Sequence, residues 1–480
     1  MLLPLHRKVL PDPKGRLDSH ITWTSWRGSG HGYGKRTDFF SCQVLPEGTI
    51  ITVEGFGLYP NHDNWLTLGF LNSRIVAHIL NSICGQHKYS GYVDNLPVPE
   101  LTDTEREKLR SAAQEGFSVV RRMEVRSVLS PFFMVPYLKG GTIADAISVW
   151  EAESANGAAA LEQTLNQIDS VISNHWPNIE ASVLRRYESN PDVISVRYFV
   201  ELFAGFIFGR WDVRLALEQK LIDPTDSFAA LPVCPPGMLQ GTDGLPPSKA
   251  PDGYPLRVSS DGIALDDPGH LDDVVRRIRD VFELIWKSKA EAMEKEACNI
   301  LGMEDIREYL RRPGKGGFWD DHVNRYSKSR RKAPIYWLLQ SSKRSYGLWL
   351  YYHKLDKDLL FKALVNYVEP KIRLETGHLE MLRGQKAAAG TSGKEVKRLA
   401  TDVERQEDFL TELRDFEDKL RRAANLNLEP DLNDGVVLNI APLYELVPWK
   451  EAKNYWEELL DGKYEWSSIG KQLRQKGLVK

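Results

Sequence analysis

Cysteine is scarce in this chain, and its spacing argues against two classes of site. No C-x-x-C occurs in the 480 residues, and the four cysteines are far apart: Cys42, Cys84, Cys234 and Cys298. A zinc ribbon or a dithiol redox centre needs closely paired thiols, so neither is expected. Scattered thiols in a long chain are typical of a reducing compartment, and we expect a cytoplasmic protein.

Long hydrophobic runs are also missing. The most apolar stretch is Phe199–Phe208, and it contains Glu201 and Gly205. A membrane-spanning helix needs about 20 mostly apolar residues, which this stretch does not provide. The apolar start, M-L-L-P-L, is far too short for a signal peptide. The sequence therefore predicts a soluble protein with no membrane partner.

Strong net charge is absent as well. The chain carries 63 Lys and Arg against 66 Asp and Glu, which gives a formal net charge of −3. A uniformly basic, DNA-coating protein is thereby excluded, and any contact with nucleic acid must come from locally concentrated positive charge. The hydrophobic share of 42% is ordinary for globular protein, and the length predicts roughly two to four domains.

No recognisable catalytic motif appears. There is no G-x-S-x-G elbow, and N-P-D-V at 190–193 lacks the aromatic ring that an Asn-Pro-Pro-Tyr tetrad stacks on a flipped base. P-G-K-G-G at 313–317 lacks the spacing of a P-loop. Asp320, Asp321 and His322 are more typical of a helix start or a surface turn than of a metal site. We therefore expect a binding protein or one part of an enzyme.

A glycine-rich segment, G-S-G-H-G-Y-G at 28–34, resembles a nucleotide-binding loop only superficially. Such loops follow a hydrophobic strand and open a helix, whereas tryptophans precede these glycines and a strand is expected after them. Two interpretations remain, an ordinary surface loop and a DNA-facing loop. In the second interpretation the contacts to DNA come from Arg27, His31, Lys35 and Arg36.

The strongest positive signal is a basic strip at residues 325–344. It has seven Lys or Arg and no Asp or Glu: Arg325, Lys328, Arg330, Arg331, Lys332, Lys343 and Arg344. The next segment, Y-G-L-W-L-Y-Y-H-K-L at 346–355, is rich in aromatic residues. Cations neutralise phosphates and flat rings stack on bases, so the combination favours nucleic acid. A solvated charged face, or a contact with an acidic protein, is the alternative.

Hydrophobic periodicity predicts an α+β fold that is predominantly helical. The expected elements are a strand at 48–55, helices at 64–83, 103–126, 142–175 (with a break at Gly157 as an option) and 193–208, a strand at 346–355, and a helical hairpin at 357–424. Thr102 or Asp103 is expected to cap the helix at 103–126.

Several strings resemble parts of large adenine-specific DNA methyltransferases. E-G-T-I-I-T-V-E-G-F-G-L-Y-P, L-G-F-L-N-S-R-I-V-A-H-I-L-N-S-I and Y-S-G-Y-V-D-N-L-P-V-P are similar to the target-recognition region of these enzymes. R-R-K-A-P-I-Y-W-L-L-Q and D-G-V-V-L-N-I-A-P-L-Y-E-L-V-P-W resemble their C-terminal portion. The resemblance points to the PglX-type methyltransferases of BREX phage-defence systems, with type IIG and DISARM methylases as near alternatives.

In that family a catalytic domain precedes the recognition region, binds S-adenosylmethionine and holds adenine in an Asn/Asp-Pro-Pro-Tyr/Phe tetrad. Neither element occurs in this sequence, so the resemblance assigns it no catalytic, cofactor or metal residue. It implies the DNA-specificity half of an adenine-N6 methyltransferase, in BREX or restriction-modification. The implied partners are double-stranded DNA, a methyltransferase catalytic subunit or domain that carries S-adenosylmethionine, and other defence-system proteins.

The resemblance and the composition together predict six regions. These are a small mixed-sheet, target-recognition-like region at 1–101, a helical domain at 102–230, a Pro/Gly-rich excursion at 231–270, a basic, aromatic-rich region at 271–356, a long antiparallel helical hairpin at 357–425 and a C-terminal tail at 426–480. Two other functions stay open. One is a protein-interaction scaffold in a defence complex, with the hairpin as its docking arm. The other is a complete enzyme with an unfamiliar active site.

Overall fold

The computed structural model describes most of the chain: residues 30–36, 40–49, 55–60, 63–139, 141–181, 184, 195–217, 228–328, 331–389 and 393–479. These residues form two compact units. The first takes its residues from the stretch up to 184 and from 214–246, and the second takes 195–213 and 247–479. Within the described residues, no helix combines the length and the apolar character that crossing a bilayer requires.

The first unit begins with a small antiparallel sheet of strand order β2-β1-β3, built from β1 (Gly30–Gly34), β2 (Gln43–Leu45) and β3 (Gly55–Leu58). Five helices follow: α1 (Asn64–Leu71), α2 (Arg74–Cys84), α3 (Ser90–Asp94), α4 (Asp103–Glu124) and α5 (Ile143–Ser173). Most of the strand predicted at 48–55 lies outside the described residues, and β3 begins at its last residue.

Two helices, α1 and α2, replace the single helix predicted at 64–83, because polar side chains stabilise a corner between them. The side chain of Asn72 exchanges two hydrogen bonds with the backbone of Cys42. The carboxylate of Asp169, on α5, accepts bonds from Ser73 Oγ at 2.9 Å and from the backbone N–H of Arg74 at 2.8 Å. A continuous helix would leave this buried carboxylate without those donors.

Helices α4 and α5 form the largest packed pair of the first unit. Thr102 caps α4 as predicted, in a capping box with Glu105. Helix α5 continues through Gly157 without a break. A Cβ at Gly157 would lie 3.1 Å from the sulfur of Met123 on α4, so this glycine permits a close helix contact instead of ending the helix.

The second unit surrounds an antiparallel sheet of strand order β4-β8-β7. Its strands are β4 (Ile263–Asp266), β5 (Ser327–Lys328), β6 (Arg331–Lys332), β7 (Tyr336–Gln340) and β8 (Gly347–Tyr351), of which β5 and β6 pair separately. Its early helices are α6 (Val196–Ile207), α8 (Val274–Trp286), α9 (Ala290–Leu301), α10 (Ile306–Arg311) and α11 (Phe318–Arg325). Between α6 and α8 the chain forms α7 (Val213–Leu217), which belongs to the first unit from Arg214 onward.

The predicted hairpin follows the sheet. Its first arm is α12 (Leu359–Ala363), a π-helical turn at Leu364–Val368 and α13 (Glu369–Ala388), and its second arm is α14 (Lys394–Asn425). The chain then forms α15 (Val436–Ile440), α16 (Lys450–Leu460) and α17 (Ser468–Gln475). The predicted fold class, a predominantly helical α+β protein, is confirmed, and its sheets are small and antiparallel.

Candidate nucleic-acid interface

The basic strip at 325–344 is divided by the fold. Helix α11 ends at Arg325, the first residue of the strip. Strands β5 and β6 then form a small two-stranded hairpin, and β7 joins the sheet of the second unit. Five residues of strand span about 17 Å. Lys332 and Lys343 therefore lie beyond opposite ends of β7, and the strip is two separate basic segments instead of one continuous face.

Two lysines of the strip already have carboxylate partners. The ammonium of Lys332 pairs with Glu451 on α16, and Lys343 Nζ lies 2.9 Å from Asp408 Oδ2 on α14. The hydrogen bond that Lys343 donates to Asp408 raises the pKa of its ammonium group. Exposed ion pairs of this kind stabilise a fold little. They do, however, reduce the positive charge that the strip presents to a phosphate.

The turn between β7 and β8 is fixed by Glu412 of α14. Its buried carboxylate accepts hydrogen bonds from the backbone N–H groups of Lys343 at 2.7 Å and Ser345 at 3.3 Å. Burial opposes the ionisation of Glu412, but hydrogen bonds from the turn outweigh it and hold its pKa below the ordinary value. Arg344 is exposed in this turn with φ of 62°, and it has no ion-pair partner in the part of the chain that the structure describes.

The aromatic residues after the strip do not form a stacking surface, which corrects the expectation drawn from composition. Tyr346, Trp349 and Tyr351 are at most 4% exposed, and β8 is buried along its whole length. The ring of Trp349 packs edge-on against Phe318, with centroids 4.7 Å apart. Rings that fill a close-packed core cannot receive a base. The aromatic enrichment reports a central strand instead.

Of the D-D-H string at 320–322, only His322 belongs to the core. Asp320 and Asp321 lie in the first turn of α11, where the helix dipole favours carboxylates. His322 is buried, and its Nε2 accepts two backbone N–H groups at the start of β7, at 2.9 and 3.0 Å. Because Nε2 is an acceptor, Nδ1 carries the proton and donates it to Glu201 Oε2 at 2.8 Å. This histidine has a structural role.

Glu201 on α6 is the negative centre of this buried cluster. Burial opposes its ionisation, but His322, Arg325 and Arg210 together hold its pKa below the ordinary value. The guanidinium of Arg325 also lies 5.5 Å from the centre of a tyrosine ring on α6. Arg325 is thus committed largely to the second unit itself. No group of three or more His, Cys, Asp or Glu among the described residues is placed to hold a metal ion.

A second set of cations lies on the first unit, where Arg36 is exposed and Lys35 is half-buried. Lys35 and Arg36 directly follow β1, and backbone pairing brings them beside a distant segment. Arg36 forms an isolated antiparallel bridge with His87, and the carbonyl of Lys35 accepts a hydrogen bond from the N–H of Lys88 at 2.8 Å. The pairing places both cations beside α3.

Two tyrosines complete this set. The rings of His87 and Tyr89 are nearly parallel, with planes 15° apart and centroids separated by 6.2 Å, and Lys35 Nζ lies 5.3 Å from the Tyr89 centroid. The ring centroids of Tyr89 and Tyr92 are 6.4 Å apart. Tyr89 is 45% exposed and Tyr92 is 40% exposed. We call Lys35, Arg36, His87, Tyr89 and Tyr92 the aromatic–basic patch.

The patch combines accessible cations with accessible rings. Among the described residues, no carboxylate lies within ion-pair distance of Lys35 or Arg36. A lysine over a ring keeps its ammonium available to a phosphate, and an exposed ring offers a face to a base or a sugar. The arrangement can therefore bind an anionic, ring-bearing polymer.

The other predicted contacts have different surroundings. His31 is fully buried in β1, and burial lowers the pKa of its imidazole to about 4, so a neutral ring without access to solvent stands there. His31 therefore cannot contact a ligand from solvent in this structure. Arg27 and Arg330 lie outside the described residues. The backbones of Lys328 and Arg331 belong to β5 and β6, and their side chains are outside the description.

His87, Tyr89 and Tyr92 were not among the contacts predicted from the sequence. No helix was predicted between 83 and 103, whereas Ser90–Asp94 form the short helix α3. A usable signal was present in Q-H-K-Y-S-G-Y at 86–92, which mixes cationic and aromatic residues with no strong hydrophobic periodicity. Its significance depends on the bridge to Arg36, which periodicity cannot reveal.

No protein-family model matches the chain. It is similar to the adenine-specific methyltransferase BrxX of Escherichia coli O9:H4 (strain HS), with 29% identity over 200 residues, covering 39% of this chain and 16% of that protein. It is also similar to the adenine-specific methyltransferase PglX of Lacticaseibacillus casei (strain Zhang), with 23% identity over 471 residues, covering 88% of this chain and 36% of that protein. The chain spans well under half the length of either relative. Both similarities support the PglX-type resemblance found in the sequence.

Proposed function

We propose that this chain is the DNA-specificity part of an adenine-N6 DNA methyltransferase in phage defence, of the BREX or the restriction-modification kind. It binds duplex DNA and acts with a catalytic part that binds S-adenosylmethionine. The similarity to two adenine-specific methyltransferases supports the enzyme class. The observation that carries DNA binding is the aromatic–basic patch, where accessible cations and rings occur together.

The chemistry of base methylation explains why such a patch is useful. The target base must leave the duplex, which costs a few kcal/mol. Phosphate contacts from Lys35 and Arg36 offset part of this cost, because each neutralised phosphate releases bound counterions. Tyr89 and Tyr92 offer surfaces on which a base can stack. Phosphate contacts position a protein on DNA, while base-edge contacts specify the sequence.

Substitution of Tyr89 tests this proposal. We expect Tyr89→Ala to weaken binding of a short, fluorescein-labelled duplex of mixed sequence about tenfold, since one stacking contact is worth about 1–3 kcal/mol. Fluorescence anisotropy over a potassium chloride series gives the affinity. The matched control is Tyr137→Ala, which removes another tyrosine of the first unit that is 48% exposed, and we expect it to leave the affinity unchanged.

Two outcomes would count against the proposal. If the unaltered chain fails to bind duplex DNA at low salt, both alone and with a catalytic part present, the DNA-specificity function is wrong. If the unaltered chain binds but Tyr89→Ala and Tyr137→Ala behave alike, the patch is not the interface.

A second candidate function, an interaction scaffold that docks a helix of a partner protein, is favoured by the outer face of α13. Leu374 and Met381 are 67% and 52% exposed, and Gly377 and Gly384 alternate with them at helical spacing. A Cβ on either glycine would meet nothing within 4 Å, although each exposed helical glycine costs about 1 kcal/mol relative to alanine. Such a face suits the close approach of another helix.

The scaffold function predicts a different result. In that case Leu374→Lys combined with Met381→Lys abolishes capture of the partner protein while the affinity for duplex DNA is unchanged. Loss of DNA affinity in this double variant, with partner capture intact, would exclude the scaffold.

A further inference from the structure

In the body of the helical hairpin, nearly every cation already has a carboxylate partner. Its arms α13 and α14 are lined with Lys, Arg, Asp and Glu. In the described residues 369–382 and 399–425, every Lys and Arg except Arg414 lies within ion-pair distance of a carboxylate. Lys371, for example, lies 2.7 Å from both Asp267 and Glu375. These two ranges hold 11 Asp or Glu against 7 Lys or Arg, so the body is a net acidic stalk whose cations are almost all paired.

The tip of the hairpin differs from its body. Residues 383–398 contain five Lys or Arg and a single carboxylate, that of Glu395. Among the described residues, no carboxylate lies within ion-pair distance of Lys386, Lys394 or Lys397, and the last two are exposed. The positive charge of the hairpin is thus concentrated where its two helices meet.

The two arms of the stalk contact each other as far as Arg383. Leu379, Val403 and Leu410 form a small core between the two arms. Arg383 pairs with Glu407 at 2.5 Å, close to the point where the arms join. Helix α14 has 32 residues, which corresponds to a length of about 48 Å. A charged tip on an arm of this length can contact a ligand far from the sheet of its own unit.

The composition of the tip favours phosphates over a protein surface. Residues 383–398 contain no aromatic residue and no Leu, Ile or Met. Protein interfaces depend on large buried aromatic or aliphatic anchors, and the largest aliphatic side chain of this segment is the single Val396. Phosphate contacts need only cations of sufficient reach, and lysines provide them.

We propose that the tip of this hairpin, through Lys386, Lys394 and Lys397, binds the phosphate backbone of duplex DNA without sequence preference. The inference rests on the proposed function and adds to it a second DNA contact, separate in sequence from the aromatic–basic patch. The tip holds the polymer, and sequence selection takes place elsewhere.

The test is the salt dependence of binding by the full chain. Each phosphate contact adds about 0.9 to the slope of log affinity against log salt. We expect the triple variant Lys386→Gln, Lys394→Gln, Lys397→Gln to reduce that slope by about 2 to 3 on a labelled duplex of mixed sequence. Arg414→Gln is the matched control, because Arg414 is an exposed cation of α14 about 25 Å from Lys397 and has no ion-pair partner among the described residues. The slope of this variant should match that of the unaltered chain.

The outcomes separate this inference from the proposed function. Absence of duplex binding by the unaltered chain overturns both. If the unaltered chain binds and Tyr89→Ala weakens it, but the triple variant keeps the full slope, only the inference about the tip is wrong. Loss of a protein partner by the triple variant at unchanged slope also overturns it. Glutamine preserves helix propensity, so an unchanged circular dichroism spectrum confirms that the hairpin is folded.

Discussion

The basic strip of the second unit and the aromatic–basic patch of the first have similar compositions and opposite surroundings. The strip runs beside α14 and α16, whose carboxylates pair with Lys332 and Lys343. The aromatic rings after it fill a core. The cations of the patch instead lie beside the segment Q-H-K-Y-S-G-Y, which has no acidic residue. The two tyrosines of the patch are exposed to solvent. The density of Lys and Arg in a sequence therefore measures charge, but it does not measure how much of that charge a ligand can reach.

The largest expected effect concerns the core beneath the strip. We expect Glu201→Ala to lower the free energy of unfolding by about 3–5 kcal/mol, because it leaves the Nδ1–H of His322 without its acceptor and Arg325 without a counter-charge. Urea unfolding measures the change. The control Asp320→Ala removes a carboxylate from the first turn of α11 and should cost about 1 kcal/mol or less. Equal losses of stability in the two variants would mean that the Glu201 cluster does not stabilise the core beneath the strip.

The first unit should respond to acid through His31. Its imidazole has a folded-state pKa of about 4 because of burial, below the ordinary 6.5. Between these two values the unfolded chain takes up a proton that the folded chain excludes. The free energy of unfolding is therefore at its full value above pH 6.5 and decreases as the pH falls towards 4. Between pH 7 and pH 5 the expected loss is about 2 kcal/mol. Hydrogen exchange of the β1 amides measures it, and His31→Leu should abolish most of the dependence. An unchanged pH dependence in that variant would assign the effect to another group.

The two basic segments can be compared directly on DNA. We expect Lys35→Gln combined with Arg36→Gln to weaken duplex binding about tenfold and to lower the salt slope by about 2, because two phosphate contacts are lost. Lys332→Gln combined with Lys343→Gln removes the same charge from cations that already have carboxylate partners, and it should change neither quantity. If fluorescence anisotropy shows the larger loss of affinity in the Lys332 and Lys343 variant, the strip and not the patch is the DNA interface.

The smallest expected effect lies in the turn between β7 and β8. Arg344 occupies the left-handed region, which costs a residue with a Cβ about 1 kcal/mol relative to glycine. Arg344→Gly should therefore raise the free energy of unfolding by up to about 1 kcal/mol, as measured by thermal unfolding. Arg344→Ala removes the same charge without relieving the backbone, and it should give no such gain. A loss of stability in the glycine variant would show that the side chain itself supports the turn.

Local signals in the sequence were sufficient for much of the fold. The capping box of Thr102 and Glu105 lies within one turn, and the apolar periodicity of α14 indicates a helix that packs along one face. The corner at Asn72 and Ser73 was missed because it depends on Asp169, far along the chain. The patch was missed for the same reason, since only the bridge between Arg36 and His87 assembles it. Periodicity reports neighbours along a helix or a strand, while these features arise from contacts between distant segments.

The two arms of the hairpin are built unequally. Helix α14 contains no glycine, whereas α13 carries Gly377 and Gly384 on its open face and follows a π-helical turn. The backbone amides of α13 should exchange with solvent before those of α14. Each glycine leaves the neighbouring backbone exposed to water and favours the unfolded chain. A helix that filled those two positions would slow this exchange. Binding of a helix to α13 would then be coupled to a loss of conformational freedom along the whole arm.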